Sequence, residues 1–305
     1  MIKTYRIQDN RVVENGAESP QALVVIDPTE EEKKGLIKTH GLDEHTLNSS
    51  LDPDELSRLE FEPEHVAIIY KCPLHYEGGD HLRFKTSSAG LFIFKDKVIL
   101  VLQEDIGVFS ARVFSRVTSL NHLWLRILYA STSHFLEHLR GIYKVTGDLE
   151  SKINTSLENR YLLQLFALEK SMVFYQNSIM TNGILMERIK NTAARLSLTQ
   201  DELELLDDMA IENNQCQRQA DIYSNILASL MDARASIVGN NLNVLMKTLN
   251  IITIAIMIPT LVVSAFSMNV TIPLQRHPYA FWIIMGFAIG SVILTAVWWL
   301  TRKTR

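Results

Sequence analysis

Two apolar spans close the chain, Val244 to Phe266 and Tyr279 to Leu300, and no proline interrupts the run from Thr199 until Pro259. Each span exceeds the ~20 helical residues that cross a hydrocarbon core of roughly 30 Å. Lys247 and Asn250, near the start of the first span, are its departures from apolar or small residues, and the second span carries no charge. Helical pattern enters the first span without a break. From Thr199 to Phe266 one helix would run about 100 Å at ~1.5 Å per residue. That is longer than a small domain, so such a stalk must pack against its own preceding helices or against copies of itself. Gly239 is its weak point, at ~1 kcal/mol relative to alanine. A stalk continuous with a membrane helix suits a pore better than an anchored enzyme. Arg302, Lys303 and Arg305 follow the second span, so the positive-inside rule places the C-terminus in the cytosol. With two spans, the N-terminal part is then cytosolic as well.

The formal charge of -4 and the lack of a basic run interleaved with aromatics exclude nucleic acid as an expected partner. Met1 is followed by Ile-Lys-Thr-Tyr-Arg, which is no signal peptide. Cys72 and Cys216 are far apart and assigned to the cytosolic part, where buried thiols are expected rather than a disulfide.

Residues 1–118 read as an α/β domain with a mixed sheet. Strands are expected at Lys3–Ile7, Ala22–Ile26, Val66–Lys71, Gly90–Phe94 and Val98–Leu102. Thr29-Glu30-Glu31-Glu32 and Asp52-Pro53-Asp54-Glu55 both look like helix starts. Gly78-Gly79-Asp80 is a turn signal. Residues 119–243 form a helical domain and stalk, with apolar periodicity through Leu123, Ile127, Leu128, Phe135, Leu139 and Ile142. It resumes through Leu157, Tyr161, Leu165, Leu168 and Met172. A capping box at Thr199 restarts the helix. Residues 244–305 hold the two spans, 244–266 and 279–300, the Ser267-Met268-Asn269 loop and the basic tail.

Asn243, Met246, Asn250, Thr253, Met257, Thr260, Ser264 and Ser267 recur at steps of three or four. Isoleucine, leucine and valine fill the other faces. In lipid, such a polar or flexible stripe either packs against a neighbouring helix or lines a wet cavity. One helix cannot enclose a channel, so the second reading requires an oligomer with this helix innermost.

Asn240-Asn241-Leu242-Asn243-Val244-Leu245-Met246-Lys247-Thr248-Leu249, then Pro259-Thr260, then Ser267-Met268-Asn269, resemble the CorA-type magnesium transporter family over nearly the whole chain. The resemblance implies a homopentamer in the inner membrane, an α+β protein whose five stalk helices surround a central pore beneath a cytosolic funnel. It implies passive Mg²⁺ transport driven by the membrane potential, with Co²⁺ or Zn²⁺ as further cargo, and no enzyme activity. It places pore positions on Asp232, Asn243, Met246, Leu249, Met257 and Thr260, which Thr253 joins from the stripe, with Ser267, Met268 and Asn269 at the mouth. Serine stands where the family signature has glycine, and Asn250 stands where it has a pore threonine. The loop from Val270 to His277 lacks the carboxylates that the family often places there, and Arg276 and His277 would not gather cations. A Zn²⁺, Co²⁺ or Ni²⁺ transporter on the same scaffold and a non-conducting regulatory protein tethered to membrane lipid are the alternatives.

The resemblance also implies regulatory Mg²⁺ held by carboxylates of adjacent subunits. Asp208, with Asp207 beside it, matches the stalk member, whereas Asn48 and Ser49 replace an acidic pair in the α/β domain. Asp52 or Asp54 could take over. His134 and His138 have a zinc-compatible i, i+4 spacing but no identifiable third ligand, and a helix surface is expected for them. There is no Gly-x-x-x-x-Gly-Lys loop and no recognisable nucleophile–base motif.

Overall fold

The structure, a computed structural model, describes residues 1–14, 20–76, 84–110, 114, 116–155, 159–268 and 277–303. The expected turn at Gly78-Gly79-Asp80 lies outside them. The chain divides into two compact units, Met1–Met231 and Asp232–Arg305.

The first unit is built on a seven-stranded sheet. Its strands are β1 (Ile2–Gln8), β2 (Arg11–Glu14), β3 (Ala22–Ile26), β4 (Arg58–Phe61), β5 (Val66–Pro73), β6 (Thr86–Ile93) and β7 (Val98–Leu102). Their order is β2-β1-β3-β7-β6-β5-β4. Only β3 and β7 pair in parallel; every other neighbour is antiparallel. The five expected strands are present. The two extra ones are the sheet's edges, where segments of four residues leave little apolar alternation to read. Asp9 and Asn10, both at positive φ, turn β1 into β2 as a two-residue hairpin.

Both faces of the sheet are covered, which is why β7 is apolar at every position. Val98, Leu100 and Leu102 join a core with Leu123, Trp124, Ile127, Leu185 and Leu206. Ile99 and Val101 face the other way, against Leu36 and Leu47 of the short helices α1 (Glu30–His40) and α2 (Glu44–Ser49) and Leu42 between them. Thr29 caps α1 with a complete capping box, and Gly41 ends it in the left-handed conformation. Gly90 lets α2 approach β6: a Cβ there would lie 2.5 Å from that of Ser50.

Asp52-Pro53-Asp54-Glu55 does not start a helix. Asp52 instead accepts the Asp54 amide in a turn. The carbonyls of Pro53 and Glu55, which a helix would use, take the Lys71 ammonium at 2.5 Å and the Ser88 hydroxyl at 3.2 Å. Tertiary partners outweigh the local capping signal.

Helices α3 (Leu120–Thr155), α4 (Asn159–Asn191) and α5 (Gln200–Phe266) follow. Phe135, Leu139, Ile142, Leu165, Leu168, Met172 and Tyr175 are buried in one apolar cluster. The Thr199 capping box is formed, with Glu202 accepting the Thr199 amide at 2.9 Å. Residues 200–231 of α5 belong to the first unit. Cys72 and Cys216 are free and buried, and burial pushes each thiol up to about 12.

The second unit holds the rest of α5 and α6 (Ala280–Lys303). Both helices are long and apolar enough to cross a membrane. Their aliphatic and aromatic side chains face outward: Leu261 is 71% exposed and Leu294 74%. Such surface requires lipid or further protein around it.

Candidate pore helix and regulatory carboxylates

From Asp232 onward α5 carries the polar stripe on an unbroken helix. Asn243, Met246, Leu249, Thr253, Met257 and Thr260 are all exposed, as are Ser267 and Met268 just beyond its end. Helical spacing brings these positions onto one side. The hydroxyls do not compete with the helix. Thr253 donates to the Leu249 carbonyl at 2.9 Å and Thr260 to the Ile256 carbonyl at 2.6 Å. Ser267 donates to the carbonyls of Ser264 and Val263 at 3.0 and 3.2 Å. With its proton so used, each oxygen turns lone pairs outward as an acceptor, the polarity that suits the waters around a cation. Pro259 has no amide to give the Ala255 carbonyl, a weak point in the ladder within the spanning part of α5. Asn269 and the loop through Arg276 lie outside the described residues.

Asp232 is exposed, and its carbonyl accepts the Ser236 hydroxyl at 3.0 Å. It sits at the start of the second unit, several turns before the apolar part of the stripe.

The two stalk carboxylates of the first unit are unlike. Asp207 is engaged by the Lys190 ammonium at 2.5 Å, whereas Asp208 is exposed. One turn on, Glu212 accepts the Tyr129 hydroxyl at 2.5 Å. Burial, that bond, and the charges of Glu212 and Asp208 push the Tyr129 phenol up to about 12. Asp208 and Glu212 thus form an acidic i, i+4 pair, and sequence reading missed the second member. Its signal was the four-residue step, which helical periodicity supplies. Among the described residues, no three His, Cys, Asp or Glu side chains gather as a metal site within one chain.

In the α/β part, Asn48 is exposed on α2 while Ser49 is buried at 8% exposure. Thr46 turns back to Asp43, whose carboxylate accepts both its amide and its hydroxyl. Those two bonds hold the Asp43 carboxyl below the usual carboxylate range. Position 48 alone of the two therefore presents a side chain outward.

His134 and His138 do not make a helix surface. Their rings lie 4.4 Å apart, and His138 is 8% exposed, with Nδ1 2.6 Å from the Tyr175 hydroxyl. Phe84 and Tyr76 complete the aromatic enclosure. Burial, aided by His134 and His75, lowers His138 to about 4, so it is neutral at physiological pH.

A family model described as CorA-like Mg²⁺ transporter protein matches residues 23–302. The cobalt/magnesium transport protein CorA of Methanocaldococcus jannaschii is 24% identical over 279 residues, which cover 88% of this chain and 86% of that protein. The solved structure of the CorA magnesium transporter from that organism matches with a TM-score of 0.80 at 22% identity, over 97% of this chain and 95% of its own. The full-length CmaX protein matches at 0.70 and 15% identity, over 99% and 96%. The cytoplasmic domain of ZntB from Vibrio parahaemolyticus matches at 0.59 and 11% identity, over 78% and 98%. At these identities the structures speak to the fold. The family match runs from β3 through α6 and so takes in the sheet, the helices and both apolar spans; the chain belongs to the CorA-like Mg²⁺ transporter family.

Proposed function

We propose that this chain conducts Mg²⁺ into the cell passively, as a homopentamer whose five α5 helices surround the pore. The observation that carries this reading is the exposed stripe from Asn243 to Ser267, in which the Thr253, Thr260 and Ser267 hydroxyls are already bonded to carbonyls of their own segment and present acceptor oxygens. Mg²⁺ gives up its waters reluctantly, so a ring of amides and hydroxyls can guide the hydrated ion without binding it bare. Met246, Leu249 and Met257 supply apolar constrictions that gate by dewetting. Asn269 forms the outer amide ring and Asp232 a ring of charge on the cytosolic side. Inward movement gains about 2.3 kcal/mol per charge per 100 mV, which suffices without ATP.

Functionally the chain has three segments: the α/β domain 1–118, the helical domain and stalk 119–243, and the spans 244–305. Both termini face the cytosol, since Arg302, Lys303 and Arg305 follow the second span. Asp208 supplies the stalk half of an inter-subunit regulatory site, with Asp207 held aside by Lys190.

The relative from Methanocaldococcus jannaschii is named for cobalt as well as magnesium, so Co²⁺ belongs in the test. Purified protein in liposomes, with an inside-negative potential, should take up Mg²⁺ faster than Zn²⁺, Co²⁺ or Ni²⁺. Uptake of another of these ions alone would reassign the cargo. No flux of any would make the chain a non-conducting regulatory protein.

A further inference from the structure

Besides the pore stripe, the second unit has an apolar groove of about 340 Å³ between α5 and α6. Ile251, Ile254, Ala255, Val292, Ala296 and Trp299 line it. Its single hydroxyl, on Thr295, is spent on the Ser291 carbonyl at 2.7 Å. One turn before Ile251, on the same side of α5, stands Lys247, the lone charge in that span. Its ammonium lies 5.6 Å from the centre of the Trp299 ring. Helix α6 continues to Lys303, so positions 302 and 303, both basic, fall one turn past Trp299 on its side of the helix. The mouth of the groove therefore combines the Lys247 ammonium with an indole, and its interior is hydrocarbon-like.

On α5 this face is turned away from the stripe, while Val292 of α6 also borders the cavity lined by Thr260, Ser264 and Ser267. At ~100° per residue, Lys247, Ile251, Ile254 and Ala255 centre roughly 120° around α5 from Met246, Thr253 and Met257. A lysine in an apolar span needs a polar partner at the membrane surface, and the Trp299 ring satisfies only one side of an ammonium. A molecule with an anionic head and an apolar tail fits both parts at once.

We propose that the groove binds an anionic phospholipid of the cytosolic leaflet, one acyl chain lying against Ile251, Ala255 and Val292 and the phosphate resting on Lys247. Basic pockets between spanning helices on the cytosolic side suit such headgroups. The proposal rests on α5 and α6 crossing the membrane with the C-terminus inside. It does not depend on conduction, and its test measures none.

The test is tryptophan quenching in the full-length protein carrying Trp282→Phe. Trp124 is buried in the first unit, which leaves Trp298 and Trp299 to report on lipid. The protein is placed in nanodiscs containing phosphatidylglycerol or phosphatidylcholine, each brominated on the acyl chain near the headgroup. Phosphatidylglycerol should quench with roughly fivefold higher apparent affinity, the ratio equivalent to ~1 kcal/mol for one cation near a membrane surface. Lys247→Gln should bring the ratio to about one, and Lys247→Arg should keep it. Ala255→Phe, which fills the groove but spares Lys247, should also abolish the preference, and it decides the matter if the glutamine variant fails to assemble. Equal quenching by the two lipids, or a preference that survives Lys247→Gln or Ala255→Phe, overturns the proposal.

Discussion

The Asn182 side chain of α4 spans both backbone groups of Lys71 on β5. Its Oδ1 accepts the Lys71 amide at 2.8 Å, and its Nδ2 donates to the Lys71 carbonyl at 2.8 Å. The pairing of β4 with β5 stops at Ile69, so beyond it the edge of β5 needs another partner. Asn182 supplies it, and the Ser131 hydroxyl adds a bond to the same carbonyl at 2.7 Å. A side-chain amide mimics a strand here, which closes the edge and ties the helical layer to the sheet.

Asn182→Ala should destabilise the first unit by about 2–4 kcal/mol, because it leaves the buried Lys71 amide without a partner. Thermal unfolding of the full-length protein would show a lowered midpoint. Asn182→Asp, which can accept but not donate, should fall between the two. A midpoint equal to that of the parent in Asn182→Ala would mean that water replaces the amide at no cost.

Stability should fall in acid through His138. Its folded pKa, about 4, lies below the ordinary value of 6.5, because burial among Phe84, Tyr76 and Tyr175 disfavours charge and His134 and His75 add repulsion. The unfolded chain then binds a proton that the folded chain refuses. The contribution is fully present above pH ~6.5 and is lost as pH falls towards 4. Carboxylates titrate over part of the same range, so the informative quantity is a difference. His138→Gln, which can keep the bond to Tyr175, should lose less thermal stability than the parent between pH 7 and pH 5. Equal losses would show that His138 is not the acid-sensitive group.

The pore reading makes an assembly prediction. Asn243→Cys and Thr260→Cys should each cross-link neighbouring subunits into covalent dimers, the limit for one thiol per subunit, since both positions are exposed on the stripe. Asn269→Ala should abolish Mg²⁺ uptake and leave the oligomer intact, and Ser267→Gly should keep or raise flux. A stable monomer in mild detergent, or full uptake by Asn269→Ala, would sink the model of a pore lined by α5.

Sequence reading located the sheet's interior strands and the long α5, because apolar runs and helical periodicity are local signals that packing here does not override. It missed what depends on partners distant in the chain. Strands β2 and β4 are edges whose pairing, not composition, makes them strands. The turn at Asp52–Glu55 carries a good capping pattern that Lys71 and Ser88 override by taking its carbonyls. His138 looks like a surface residue until α4 brings Tyr175 against it. The stripe on α5 was legible as spacing, but that the hydroxyls of Thr253, Thr260 and Ser267 bond back to carbonyls one turn earlier is visible only in the structure. So is the capture of Asp207 by Lys190, which singles out Asp208.

That distinction sharpens the regulatory prediction. On the proposed inter-subunit site, with Asn48 and Ser49 where the family resemblance implies an acidic pair, fewer charges would hold Mg²⁺, and affinity in oxygen sites depends on ligand charge. By linkage, weaker binding to the closed state means weaker inhibition. The two positions should not respond alike. Asn48 is exposed on α2, so Asn48→Glu adds an outward-facing carboxylate. Ser49 is 8% exposed, so Ser49→Asp buries a charge and should cost stability, ~1–3 kcal/mol or more, without adding to the site. Mg²⁺ flux measured against internal Mg²⁺ should therefore show tighter inhibition in Asn48→Glu alone. Asp208→Ala should loosen whatever inhibition the parent has, and Asp207→Ala should change it less, because Asp207 already answers to Lys190. Superimposable inhibition curves for the parent, Asn48→Glu and Asp208→Ala would make Asp208 an ordinary solvated stalk residue and move any sensing elsewhere.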